Sequence, residues 1–246
     1  MSCASTGRSQ QGALLPWASA RIRTERAPDT RMPDWDVYLV TGESLSAGRS
    51  TREIVGAAIE GGVGVVQLRE KDRTVRERYE MGQELRERCR EAGVTFVVND
   101  RVDLAQALAA DGVHLGDGDL PVSVARDLLG AGAVIGRSVS TVDAAEAAEA
   151  AGADYLGVGT VYRTGSKDDI PEADHGVGPE RVAEIAAAVD IPLVGIGGIT
   201  TENAAEVAAA GADGVAVITA ITRAEDPTAA TAALGAAVER GTTERS

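Results

Sequence analysis

From Asp36 onward, short apolar runs rich in β-branched residues alternate with longer stretches rich in Ala, Glu and Arg. Eight of these runs predict strands, at residues 37–41, 63–69, 95–99, 112–115, 133–138, 155–159, 192–197 and 214–219. Most are unbroken apolar runs, the pattern of parallel strands buried on both faces. The segments between them, about 15–25 residues long, suit crossover helices. The longest helix is predicted from about Thr74 to Glu91, with Val75, Tyr79, Leu85 and Cys89 on one apolar stripe. Gly82 falls on the same face and Met81 to its side.

A weak repeat punctuates the alternation. Ala151-Gly152-Ala153-Asp154 precedes the sixth strand and Ala210-Gly211-Ala212-Asp213 the eighth, while Ala109-Ala110-Asp111-Gly112 opens the fourth. Each Ala-Gly pair reads as a helix stop, because glycine accepts the left-handed cap conformation. Gly178-Pro179 reads as a helix start, with proline tolerated in the first turn. Eight alternations with no second composition regime predict an α/β fold, one (β/α)8 TIM barrel over residues 34–246. An open doubly wound sheet is the alternative.

Residues 1–33 break the pattern. They are rich in Ser, Ala and Arg, contain Pro16, Pro28 and Pro33, and show no steady periodicity. A disordered N-terminal extension is expected there, with an Arg-rich transit-type presequence as the other reading. No run of roughly 18 uncharged apolar residues occurs, so no membrane span is expected. Cys3 and Cys89 form neither a disulfide framework nor a metal-type spacing, which points to a reducing cytoplasm.

Charge narrows the functions. The chain carries a net −14, and the five arginines and two acids of residues 1–33 leave the remainder at −17. No basic footprint is left to meet nucleic-acid phosphates. High acidity with only two lysines also suggests a chain kept soluble in high salt. Those lysines, Lys71 and Lys167, both fall in loops after strands, where a compact ammonium serves a phosphate differently from an arginine.

In a parallel barrel the chemistry sits at the C-terminal strand ends. Those positions hold Gln67, Arg69, Glu70, Lys71 and Asp72 after strand two, and Asn99, Asp100 and Arg101 after strand three. They continue with Asp117 and Asp119 after strand four, Ser138 in strand five, and Thr164, Gly165, Ser166 and Lys167 after strand six. Gly197-Gly198 and Ile218-Thr219 close the ring. Arg69 and Lys71 suit phosphate oxygens, one as a planar fork and one as a point charge. Asp100 and Asp119 suit a shared hard cation such as Mg2+. Gly197-Gly198 allows a backbone amide close to a phosphate. His114, inside a strand, is read as a structural or supporting residue. His175 and Arg163 have no evident role, and no Ser-His-Asp set or cysteine nucleophile can be assembled.

Three segments carry a resemblance: Gln67-Leu68-Arg69-Glu70-Lys71-Asp72, Asn99-Asp100-Arg101-Val102-Asp103-Leu104-Ala105 and Asp111-Gly112-Val113-His114-Leu115-Gly116. With Tyr155-Leu156-Gly157-Val158-Gly159, Ile196-Gly197-Gly198-Ile199 and Gly214-Val215-Ala216-Val217 in the same order, the chain resembles the thiamine-phosphate synthase family over roughly residues 36–223. The resemblance implies a transferase of thiamine biosynthesis. It joins 4-amino-2-methyl-5-(diphosphooxymethyl)pyrimidine to a thiazole ethyl phosphate and releases pyrophosphate. It implies that Gln67, Leu68, Arg69, Glu70, Lys71, Asn99, Ser138 and Lys167 hold the pyrimidine diphosphate. Arg69, Lys71, Ser138 and Lys167 would serve its departure. Thr164, Gly165, Ser166, Gly198, Ile218 and Thr219 would hold the thiazole phosphate, and Asp100 and Asp119 magnesium. The alternatives are a thiazole tautomerase-like isomerase on the same barrel and a non-catalytic barrel that binds a phosphate ligand.

Overall fold

The structure, a computed structural model, describes residues 34–164 and 176–245. Eight parallel strands close into a barrel in sequence order. They are β1 (Val37–Val40), β2 (Val65–Leu68), β3 (Thr95–Asn99), β4 (Gly112–Leu115), β5 (Val134–Val139), β6 (Tyr155–Gly159), β7 (Leu193–Ile196) and β8 (Gly214–Val217). Pairing of β1 with β8, through Val37↔Val215 to Leu39↔Val217, completes the ring. The open sheet is thereby excluded, and the predicted barrel is what forms.

The helices are α1 (Thr51–Glu60), α2 (Val75–Ala92), α3 (Val102–Leu108), α4 (Val122–Leu129), α5 (Val142–Ala150), α6 (Gly178–Ala186), α7 (Ala204–Ala209), α8 (Thr219–Thr222) and α9 (Pro227–Arg245). Capping boxes start two of them. Ser50 with Glu53 opens α1, and Thr74 with Glu77 opens α2, each pair satisfying backbone donors that the first turn leaves bare. One apolar layer lies between helices and strands, and a second fills the barrel interior with Trp35, Tyr38, Val40, Val65, Val97, Tyr155 and Val194. Trp35 stacks on Tyr155 at 4.5 Å between ring centroids.

Helix α2, at 18 residues second in length to the 19-residue α9 and not the longest as expected, corrects the predicted stripe. Met81, Gly82, Leu85 and Cys89 are buried, whereas Val75 is 39% exposed and Tyr79 only partly covered. The reason is close packing at Gly82, where a methyl would stand 2.5 Å from a Leu108 methyl group. That contact turns the row 81–85–89 inward and leaves the first turn beyond the barrel wall.

The repeated acidic segments also gain a physical reason. Asp111, Asp154 and Asp213 each precede an even-numbered strand, and each turns its carboxylate onto a backbone N–H of the strand before. The acceptor contacts are to Phe96 at 2.8 Å, Ile135 at 2.6 Å and Leu193 at 2.9 Å. The aspartate N–H bonds the same residue's carbonyl in all three cases. Gly152 and Gly211, ahead of two of these aspartates, take φ of +89° and +120°, as helix stops.

Candidate active site

A cavity of about 460 Å3 opens at the C-terminal strand ends. Gln67, Arg69, Lys71, Asn99, Asp100, Asp119 and Ser138 all line it. A larger hollow, about 560 Å3, lies between α2 and α3 on the helical surface. It is away from the strand ends, and its lining mixes Val75, Tyr79 and Leu104 with exposed ionic groups rather than converging polar ones. Converging polar groups make the first cavity the candidate site.

The loop after β2 is held from beneath by Glu70. This carboxylate is buried, accepting from the Thr51 hydroxyl at 2.6 Å and the Glu43 N–H at 3.0 Å. Arg69 N–H donates to Thr41 Oγ1 at 3.0 Å. With Glu70 fixed below the loop, its neighbours Arg69 and Lys71 face the cavity. Leu68 and Glu70, expected with Gln67, Arg69 and Lys71 in the diphosphate-holding segment, do not line the cavity. Glu70 anchors the loop, and Leu68 packs in the outer apolar layer. Gln67, the last inward residue of β2, is 4% exposed and donates from Nε2 to the Tyr38 hydroxyl at 2.7 Å.

At the end of β3, Asn99 lines the cavity and Asp100 adopts φ 64°. Left-handed backbone at a non-glycine residue costs energy and is held here by a bond from the Asp100 N–H to the His114 carbonyl at 2.8 Å. The turn brings Asp100 against Asp119, whose Oδ2 also accepts the Gly116 N–H at 2.6 Å. Burial, then the charge of Asp119 and a hydrogen bond with it, pushes the Asp100 carboxyl up to about 6, against the opposing pull of Lys71 and Arg69. Two carboxylates and two cations are therefore electrostatic neighbours. Asp117 also lines the cavity, but it is exposed and paired with Arg137 at 2.6 Å.

The pair fits magnesium. Among the described residues no cluster of three or more His, Cys, Asp or Glu could cage a metal. Two carboxylates beside a phosphate, with water completing the shell, is the usual protein share for this ion.

On the far side of the ring, Gly197 and Gly198 have φ of +102° and +64°. A methyl on Gly198 would lie 2.7 Å from the Arg163 carbonyl, and one on Gly197 2.4 Å from the Thr160 methyl. The glycines let the loop after β7 lie against the loop after β6, joined by Tyr162 N–H to Gly197 O at 2.9 Å. Ile218 ends the buried interior, and Thr219 begins α8. In the β6 loop Thr164 is described, while Gly165, Ser166, Lys167 and His175 lie outside the described residues.

Sequence reasoning missed two tyrosines. Tyr38 and Tyr155 line the cavity, and their hydroxyls meet at 2.8 Å. His114, read as a supporting residue, bonds both Tyr155 Oη and Ser138 Oγ at 2.9 Å through its two ring nitrogens. The available signal was glycine. A methyl on Gly136 would lie 2.1 Å from the Tyr155 ring, and one on Gly157 2.9 Å from the His114 ring. Without the register Gly136↔Tyr155 and Ser138↔Gly157, those gaps cannot be matched to their rings.

Comparison with known proteins gives concordant matches. The family model described as thiamine monophosphate synthase matches residues 37–221. A thiamine-phosphate synthase of Haloarcula marismortui is 73% identical over 210 residues, covering 85% of this chain and all of that protein. The one from Natronomonas pharaonis is 62% identical over 206 residues, 84% of this chain and 96% of that protein. Among solved structures, a thiamine phosphate pyrophosphorylase from Pyrococcus furiosus superposes with a TM-score of 0.76 at 41% identity. It covers 85% of this chain and 97% of that one.

Proposed function

The chain belongs to the thiamine monophosphate synthase family, and from that premise we propose that the cavity at its strand ends binds the pyrimidine diphosphate and magnesium together. The enzyme is a transferase of thiamine biosynthesis that joins the two heterocyclic phosphates and releases pyrophosphate. The synthase is thus the reading kept over the isomerase and the non-catalytic barrel.

In this assignment Arg69 and Lys71 hold diphosphate oxygens, with Lys167 joining them from the β6 loop. Gln67 and Asn99 orient the pyrimidine, and Ser138 donates to the leaving group. Thr164, Gly165, Ser166, Gly198, Ile218 and Thr219 form the thiazole phosphate side. Asp100 and Asp119 hold magnesium. Magnesium, when bound, offsets negative charge on the diphosphate oxygens.

The C–O bond between the pyrimidine methylene and the diphosphate breaks, its electron pair leaving with pyrophosphate. The thiazole nitrogen lone pair then forms the C–N bond. The aminopyrimidine ring spreads positive charge from the methylene, so departure can precede attack. What remains for the chain is to stabilise charge developing on the leaving oxygen and to hold the nitrogen in line. Fixed Arg69 and Lys71 charges do the first, at no cost of rearrangement during reaction. No covalent nucleophile is needed.

The observation that carries this reading is the meeting of Arg69, Lys71, Asp100 and Asp119 around one cavity. Incubation of the purified chain with both substrates and magnesium tests it. Thiamine phosphate and pyrophosphate should appear in equal amounts and stop appearing when the metal is chelated. Undiminished turnover in chelator would remove the metal role.

No helix among the described residues is long and apolar enough to cross a membrane. We read the enzyme as cytoplasmic, acting on small phosphorylated molecules and not on nucleic acid, because a chain at net −14 repels polyphosphate polymers outside a focused site.

A further inference from the structure

Five side chains form one continuous line across the barrel interior. Gln67 Nε2 donates to Tyr38 Oη at 2.7 Å, Tyr38 Oη meets Tyr155 Oη at 2.8 Å, Tyr155 Oη meets His114 Nδ1 at 2.9 Å, and His114 Nε2 meets Ser138 Oγ at 2.9 Å. They come from β2, β1, β6, β4 and β5 in turn. Gly136 and Gly157 clear the volume that the Tyr155 and His114 rings occupy, so the strands are built around this line.

Two senses satisfy the line, and the one that leaves Ser138 a proton for the leaving group runs from Gln67. Burial pushes both phenols above their ordinary value, so each keeps its single proton. Tyr38 accepts from the Gln67 amide and spends its own proton on Tyr155. In that sense Tyr155 spends its proton on His114 Nδ1, the bare nitrogen of the ring. The imidazole proton sits on Nε2 and goes to Ser138 Oγ. Ser138 therefore has its own proton left to donate into the cavity. In the reverse sense Tyr38 would accept from both Gln67 and Tyr155, the His114 proton would sit on Nδ1, and Ser138 would spend its proton on His114 Nε2 and turn its lone pairs toward an anionic leaving group.

We propose that Tyr38, Tyr155 and His114 are positioning residues, forming a one-way hydrogen-bond relay from Gln67 that fixes the His114 tautomer and aims the Ser138 proton at the departing pyrophosphate. The proposal rests on the reading of Ser138 as the leaving-group donor. It also makes the two ends of the pyrimidine site interdependent. A ring that engages the Gln67 carbonyl through its amine holds the Gln67 amide in the orientation that the relay requires. An analogue lacking the amine loses leaving-group assistance as well as affinity.

The test is a cycle of Tyr155→Phe, Ser138→Ala and the double variant in steady-state pyrophosphate release, with 15N-histidine NMR of the substrate-free enzyme. Ser138→Ala should lower kcat about a hundredfold, the size of losing one donor to a developing anion. Tyr155→Phe should lower kcat about tenfold, with KM for the pyrimidine diphosphate nearly unchanged, because the donor remains but is no longer oriented. The double variant should be no slower than Ser138→Ala alone. Tyr38→Phe, which leaves the Tyr155 ring in place, should repeat the tenfold loss and guards against a packing defect in Tyr155→Phe. Losses that multiply in the double variant, or wild-type kcat in both phenylalanine variants, would overturn the relay. NMR separates this from the reaction itself. The chain has two histidines, so His114→Gln assigns the signal, and His114 should be wholly the Nε2–H tautomer. An Nδ1–H tautomer would overturn the relay even in an active enzyme. A wild-type chain that makes no thiamine phosphate would instead sink the functional reading and leave the tautomer to decide the relay.

Discussion

The two rims of this barrel use the same side chain in opposite ways. At the N-terminal rim, Asp111, Asp154 and Asp213 each accept a backbone N–H of the neighbouring strand, and Asp154 also accepts Arg126 at 2.5 Å. At the C-terminal rim, Asp100 and Asp119 are set against each other, and the Asp100 carboxyl is pushed up to about 6. Carboxylates below tie strands together. Those above are held in mutual repulsion that a divalent cation or a proton relieves. Stability and chemistry are thus separated along the barrel axis, as this architecture permits.

The contrast breaks first at the upper rim. Lys71→Ala should lower kcat for pyrophosphate release by about 10²–10³, the range for losing one preorganised charge, with the fold unchanged by circular dichroism. Lys71→Arg should recover little, since a planar fork does not replace a compact ammonium. Near-normal turnover with arginine would undo the argument for lysine.

The next effect lies at the lower rim. Asp154→Ala strands the buried Ile135 N–H and frees Arg126. The cost should be about 2 kcal/mol, read as a fall in Tm of about 4–8 °C. Turnover per folded molecule should stay at the wild-type level. A large loss of kcat with unchanged Tm would reverse the assignment of the two rims.

A smaller effect has the opposite sign. Asp100 has an ordinary value of 3.8 and stands near 6 in the folded chain, so the fold favours its protonated form. Its contribution is fully present below the unfolded value and is lost as pH climbs through about 6. In metal-free protein, Asp100→Asn should therefore leave Tm unchanged at about pH 3 and raise it at about pH 8. Because the site opens to solvent, screening leaves about 1 kcal/mol, or about 2–4 °C. Equal Tm for both proteins at pH 8 would mean that the two carboxylates do not repel.

The mildest difference is in salt. Self-repulsion at net −14 weakens as the screening length falls from ~10 Å at 0.1 M to ~3 Å at 1 M. Tm should rise over that range in the wild type and rise less in the metal-free Asp100→Asn variant. A salt-independent Tm would remove the compositional argument for salt adaptation.

The sequence disclosed the two rims unequally. Residues 95–99, 112–115 and 155–159 are strands to the residue, because short runs of mainly apolar residues there stop at Asn99-Asp100, Gly116 and Gly159. The second run was read too long. Val63 N–H bonds the Ala58 carbonyl, so it still belongs to the exit from α1, and β2 begins at Val65. The eighth was also read too long, since Thr219 starts α8. At the site, position on a strand end was enough to bring Arg69, Lys71, Asn99, Asp100, Asp119 and Ser138 to one cavity. It could not tell that Glu70 turns inward to Thr51, because a buried anchor and a phosphate ligand look alike in a polar loop. Nor could it reveal the line through Tyr38, Tyr155 and His114, which depends on registers across several strands.

The central claim is that the upper carboxylate pair, not the lower ones, serves the departing diphosphate. The initial rate of pyrophosphate release by Asp119→Asn, at saturating substrates and magnesium, tests it most directly. A rate about a hundredfold below wild type, in a protein that melts no lower, is the expected result. A wild-type rate from that variant would contradict the account.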